Sequence, residues 1–169
     1  MLKKEIEKYL NPGFFFLEVL KDKNIKDRED RHPEIGVFNH SLQVFYLLSK
    51  RTGDLDLLTA GLFHDIGKTF NTLQHDRIGA KLLHDYYPEK VIWLVKNHIR
   101  IIHYLNGEMR KGKRQVFERH PYFGLLKVLR ECDIEGRKPD FHIKYDKEEI
   151  VSILEKAIIN RYNKKNHKG

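Results

Sequence analysis

His64 and Asp65 stand side by side in Leu62-Phe63-His64-Asp65-Ile66-Gly67-Lys68, where an apolar segment ends. Three more polar groups close apolar lines in the same manner. His40 shares a stripe with Val44 and Leu47, His98 follows Val91, Leu94 and Val95, and Asp133 follows Leu125, Leu126, Leu129 and Cys132. Burying a carboxylate without a partner costs several kcal/mol, and an unsatisfied imidazole is also unfavourable. A divalent cation cancels that cost, because carboxylate oxygens and neutral imidazole nitrogens are its ligands. Taken singly, each histidine is more often a hydrogen-bonded core or helix-end residue than a ligand, and adjacent His64-Asp65 reads also as a helix terminus. Repetition in four segments is what points to a shared ion. Cys132 is the sole cysteine, so a cysteine cage for zinc is excluded and the ligands are nitrogen and oxygen.

These groups need helices to carry them. The spacing predicts a helix from near Phe38 and another from about Leu55 to Ile66, capped by Asp54 or Asp56 and ended by Gly67. His75 precedes a helix bearing Ile78, Leu82 and Leu83, with Asp76 in its first turn. Pro88 opens the helix that leads to His98, and Pro121 opens the one that leads to Asp133, ended by Gly136 and Pro139. Asp146 caps a last helix with Ile150, Leu154, Ala157 and Ile158, and a basic tail from Arg161 to Gly169 is expected to fray. At the other end, the sequence predicts a short amphipathic start, a turn at Asn11-Pro12-Gly13 and an apolar segment from Phe14 to Leu20. A solvated charged run from Lys21 to Arg31 and a loop at His32-Pro33-Glu34 follow. A further charged, glycine-bearing loop is expected from Asn106 to Arg114.

No alternating run is long enough for a sheet, so the expectation is an all-α protein in one domain. Residues 1–35 form an N-terminal helical extension, 36–140 the core, and 141–169 a C-terminal helix and basic tail. With 40% hydrophobic and 33% charged residues the composition is that of a globular chain, not a disordered one. Neither a membrane-spanning run nor a signal-peptide core is visible, which predicts a cytoplasmic protein with no membrane partner. The net charge of +8 favours anionic partners such as nucleotides, RNA or phosphate esters without choosing among them.

The ordered set His40, His64-Asp65 and Asp133 resembles the H…HD…D signature of the HD-domain superfamily of metal-dependent phosphohydrolases. His75-Asp76-Arg77-Ile78-Gly79-Ala80 and His98 are similar to the additional histidines of HD domains that hold a second metal. The text around Phe38-Asn39-His40-Ser41-Leu42 and Cys132-Asp133-Ile134-Glu135-Gly136-Arg137 resembles the HD domain of bacterial CCA-adding tRNA nucleotidyltransferases, here freestanding, over residues 14–139. The resemblance implies a helical HD-domain bundle with His40, His64, Asp65 and Asp133 as metal ligands. Asp65 and His64 would sit at the catalytic centre, while His75 and His98 would bind a second ion or hold the phosphate. It implies one or two divalent transition metals, Mn, Ni, Co or Fe ahead of Mg, because imidazole-rich sites suit them. The substrate would be a small anionic phosphoester or nucleotide, a 2′,3′-cyclic phosphate among them, with RNA also open. Lys68, Arg77 and Arg137 are the candidate phosphate contacts; each reads equally as a structural cation. Two other functions fit the same residues: a di-iron HD-fold oxygenase, and a non-catalytic RNA- or nucleotide-binding module.

Overall fold

The computed structural model describes residues 1–23, 36–138 and 143–168, and among them there is no strand. In chain order the helices are α1 (Leu2–Asp22), α2 (Gly36–Arg51), α3 (Leu55–Phe63), α4 (His75–Leu83), α5 (Glu89–Asn97), α6 (Arg100–Leu105), α7 (Lys111–Glu118), α8 (Phe123–Glu135) and α9 (Lys147–Asn166), with a 3-10 turn at Ile66–Thr69. The all-α expectation holds.

α3 has no solvent face: every residue from Leu55 to Phe63 is buried. A helix apolar all round is stable only when surrounded, and α2, α5, α8 and α9 pack around it. Asp54 starts it by accepting hydrogen bonds from the backbone N–H groups of Asp56 and Leu57, both at 3.0 Å. α1 lies against α9 and α2, and α4 sits between α5 and the 3-10 turn. α7 contributes Phe117, which meets Phe123 and Tyr104 edge to face at 5.1 and 5.9 Å.

Four expectations change. Asn11-Pro12-Gly13 is not a turn, because α1 runs through it with Pro12 inside. Proline removes one helical hydrogen bond, yet Leu10, Phe16, Leu17 and Leu20 form a single buried stripe only if the helix continues. Gly13 lets that helix approach Tyr87, whose hydroxyl lies 3.2 Å from where a Cβ would stand. Gly67 is not a helix-ending cap either. α3 stops at Phe63, and Gly67 lies in the 3-10 turn without the positive φ of such a cap. Its role is clearance, since a Cβ there would stand 2.0 Å from the His75 carbonyl oxygen and 2.7 Å from the Gly79 nitrogen. The Asn106–Arg114 loop is shorter than expected, because α7 already begins at Lys111. The C-terminal tail is helical to Asn166, held in part by Arg161, whose guanidinium pairs with Asp56 at 2.6 Å. His32-Pro33-Glu34, most of the charged run and Pro139 lie outside the described residues.

Candidate metal centre

Six polar groups arrive at one place from five parts of the chain. His40 comes from α2, His64 and Asp65 from the residues just past α3, His75 from the start of α4, His98 from the end of α5, and Asp133 from α8. All six are buried. Five of the six form two groups of donor atoms that share Asp65, namely His40, His64 and Asp65, and Asp65, His75 and His98, and the sixth, Asp133, lies against His40.

The four rings are all held in the same way. Each imidazole puts Nδ1 against a backbone carbonyl: His40 on Gly136 at 3.1 Å, His64 on Gly61 at 2.8 Å, His75 on Thr72 at 2.8 Å and His98 on Val95 at 2.6 Å. A carbonyl only accepts, so every Nδ1 carries the proton and every neutral ring presents a bare Nε2. Those Nε2 atoms face each other in pairs, His40 with His64 at 3.3 Å and His75 with His98 at 3.1 Å. Two lone pairs so placed repel unless a cation lies between or beside them. The tautomer is the one that metal-bound histidines adopt when a backbone group holds the other ring nitrogen.

Carboxylate oxygens complete both pairs. Asp133 Oδ1 is 2.9 Å from His40 Nε2 and 3.6 Å from His64 Nε2. Asp65 straddles the two: Oδ2 is 3.5 Å from His64 Nε2, while Oδ1 is 3.2 Å from His75 Nε2 and 3.4 Å from His98 Nε2. Burial by itself would raise the Asp65 carboxyl; the His64 ring, the Lys68 ammonium and the His75 and His98 rings, which donate from Nε2 when protonated, outweigh it and hold the group well below the usual carboxylate range. For Asp133 burial is again opposed, by the His40 and His64 rings in their protonated forms, with the same result. The two rings of the outer pair move apart. Burial depresses His98, whereas at His75, on the pocket edge, the hydrogen bond to Asp65 overcomes burial and raises it. One proton in each facing pair would satisfy it as an N–H···N bond, and the same four ring nitrogens and two carboxylates are the donor set of a divalent cation.

A cavity of about 700 Å³ opens over the cluster. Lys68 reaches Asp65 Oδ2 at 3.2 Å, and Arg137 reaches Asp133 Oδ1 at 3.2 Å, so two of the three predicted cations line this cavity. Arg77 does not; it is exposed and lies in the adjoining cleft. The sequence reading missed Arg130, which lines the cavity and holds Asp133 Oδ2 at 2.6 Å. The signal was its spacing, three residues before Asp133 on one helix, which places the two side chains together.

Residues 37–117 match the family model described as HD domain. HD domains are all-α folds of a metal-dependent phosphohydrolase superfamily, and both the fold and the buried histidine and aspartate cluster agree with that match. HD domains bind divalent metals, and the cluster is compatible with one. Asp133, Arg130 and Arg137 lie beyond the matched residues; geometry alone brings them to the HD histidines. None of the curated proteins compared matches the chain, so the likeness to CCA-adding enzymes rests on its motifs. No helix among the described residues is long and apolar enough to cross a membrane.

Proposed function

We propose that the chain is a metal-dependent phosphohydrolase that acts on a phosphoester, with a nucleotide or a 2′,3′-cyclic phosphate as substrate. The observation that carries this reading is the pairwise meeting of four bare imidazole nitrogens around a shared carboxylate, Asp65, beneath a cavity ringed by cations. His40, His64, Asp65 and Asp133 would hold one ion, and Asp65, His75 and His98 a second. Four imidazoles favour Mn, Ni, Co or Fe over Mg. A bound divalent ion supplies a water of lowered pKa and polarises a phosphoryl oxygen.

The protein groups do the remaining work. The backbone carbonyls of Gly136, Gly61, Thr72 and Val95 fix the tautomer and orientation of the rings. Lys68, Arg130 and Arg137 offer N–H donors at the cavity mouth, where they orient the phosphoryl group and take up charge that develops on its oxygens. That cationic rim is why a phosphoester is the better substrate than a neutral molecule awaiting oxygenation.

The test is elemental analysis of protein purified without added metal, together with turnover of single phosphoesters and 2′,3′-cyclic nucleotides after loading with Mn²⁺, Ni²⁺ or Co²⁺. One or two transition-metal ions per chain, with hydrolysis that disappears along with the metal in Asp65→Ala, is the expected result. A chain that takes up no metal under any loading overturns the proposal. Iron with oxygen-dependent turnover would replace it by the oxygenase.

A further inference from the structure

The cavity over the cluster does not stop at its own rim. Asp76, Ile99 and His103 line it and also line a second, larger cleft of about 980 Å³ that extends across α4, α5 and the start of α7. That cleft carries Arg77, Lys96, Arg100, Arg110 and Lys113 against the two acids Asp76 and Glu108. Glu108 is already engaged by the His103 ring. Among the described residues, none of these five cations makes an ion pair, although Arg114 and Arg51 nearby in charge and exposure pair with Glu118 and Glu131. Arg77 and Lys96 continue into a third hollow on the far side of the same face. The result is a track of unneutralised positive charge that starts at the proposed metal ligands and leads away from them. A single phosphate has no use for it.

Building on the reading of the centre as a phosphoester hydrolase, we propose that the substrate is a single-stranded oligonucleotide whose reacting phosphate enters the buried centre while its backbone runs along this cleft. One feature favours a nucleic acid over an inorganic polyphosphate. Ile99, Met109 and Val116 line the cleft between the cations, with Val116 70% exposed, and give sugars and bases an apolar floor that a bare phosphate chain cannot use. The cleft lining holds no Phe, Tyr or Trp, and His103 is its one aromatic ring, so recognition falls mainly on the backbone and is tolerant of sequence. The ligands themselves are almost wholly buried, so a rigid duplex cannot bring a phosphate to them whereas a strand can.

Binding is measured first, by anisotropy of a labelled oligouridylate of about 12 nucleotides on the full chain in EDTA, so that affinity does not depend on metal. The expected affinity exceeds that of uridine monophosphate at least about 10-fold, and the double variant Arg110→Ala/Lys113→Ala loses about 10-fold. The plot of log affinity against log salt becomes shallower by about 0.7 for each cation removed. Lys164→Ala/Lys165→Ala removes the same charge beside Asp54, near the opposite end of α3, and stays within about 2-fold. Equal losses in both double variants, or polyphosphate and duplex competing as well as the single strand, overturn the proposal. The metal-loaded chain is then given the same strand. Shortening of the strand supports the substrate assignment, and binding without shortening overturns it even if single phosphoesters are hydrolysed. Failure to hydrolyse any phosphoester overturns instead the reading of the centre, whatever the anisotropy shows.

Discussion

α3 buries polar groups at both of its ends, and the two ends solve the problem in different ways. At its start, Asp54 and Asp56 are met by donors: Lys90 reaches Asp54 at 2.6 Å, Arg161 reaches Asp56 at 2.6 Å, and the Tyr9 hydroxyl lies 3.4 Å from Asp56 and 2.9 Å from Thr59. Acceptors there meet donors that the chain supplies. At the other end Asp65 and Asp133 also meet donors, Lys68, Arg130 and Arg137, but share the space with four rings whose neutral forms turn acceptor Nε2 atoms toward one another. Burial of charge is common to both ends, so burial does not mark the functional one. What marks it is the gathering of four ring nitrogens around a shared carboxylate, a donor set that a cation could use.

The strongest way to break the contrast is to remove a carboxylate from each end. Asp133→Ala is expected to lower metal content and phosphoester turnover at least about 100-fold, by elemental analysis and steady-state kinetics, with the helical circular dichroism retained. Asp56→Ala should leave turnover unchanged and cost about 2 kcal/mol in denaturant unfolding, because Arg161 and Tyr9 lose their acceptor. That loss should be the same with chelator and with metal. If chelation changes the Asp56→Ala penalty, the start of α3 is coupled to the centre and the contrast fails.

Ranked between these is Gly67→Ala. A methyl group 2.0 Å from the His75 carbonyl must push α4 away, so about 3 kcal/mol of stability and the ligand position of His75 should be lost together. Thermal unfolding should show a lower midpoint and a smaller upward shift on metal addition than the parent. The least effect is expected at Asp54. Burial would raise its carboxyl, but the Lys90 hydrogen bond and the N–H groups of Leu57 and Asp56 hold it below the ordinary value. A depressed carboxylate contributes stability above its unfolded pKa and loses it as pH falls through the folded one. Asp54→Ala should therefore cost about 1 kcal/mol at neutral pH, and the difference from the parent should shrink as pH drops below the ordinary carboxylate range.

Most of the candidate ligands were legible in the sequence because they share an apolar stripe, which says which way a residue points, whereas His75, at the start of its helix, was placed by the resemblance. Asp65 behind Leu58 and Leu62, and Asp133 behind Leu129 and Cys132, needed no more than that. Pro12 and Gly67 misled for a shared reason. Local rules treat proline as a break and glycine as an end, whereas the decisive contacts, Gly13 with Tyr87 and Gly67 with His75, come from elsewhere in the chain. Arg130 stayed hidden because an arginine on a helix looks like a solvated one until its partner is known to be buried. The cleft beyond the centre was only partly readable, since the sequence shows the charged stretch Arg110 to Arg114, whereas Arg77, Lys96 and Arg100 come from α4, α5 and α6 and only the fold lays them beside it.

His64 and His98 each return Nδ1 to a carbonyl in the last turn of the helix that they terminate, Gly61 in α3 and Val95 in α5. The ring that would grip an ion therefore also fastens the end of its own helix. Exchange of a bound ion would then be coupled to fraying: a ring that swings free gives up a bond that closes its turn, and an occupied centre would hold both helix ends closed. Off-rates would follow the opening of two helix termini, with the steep temperature dependence of local unfolding, and not the ease with which solvent reaches the cavity.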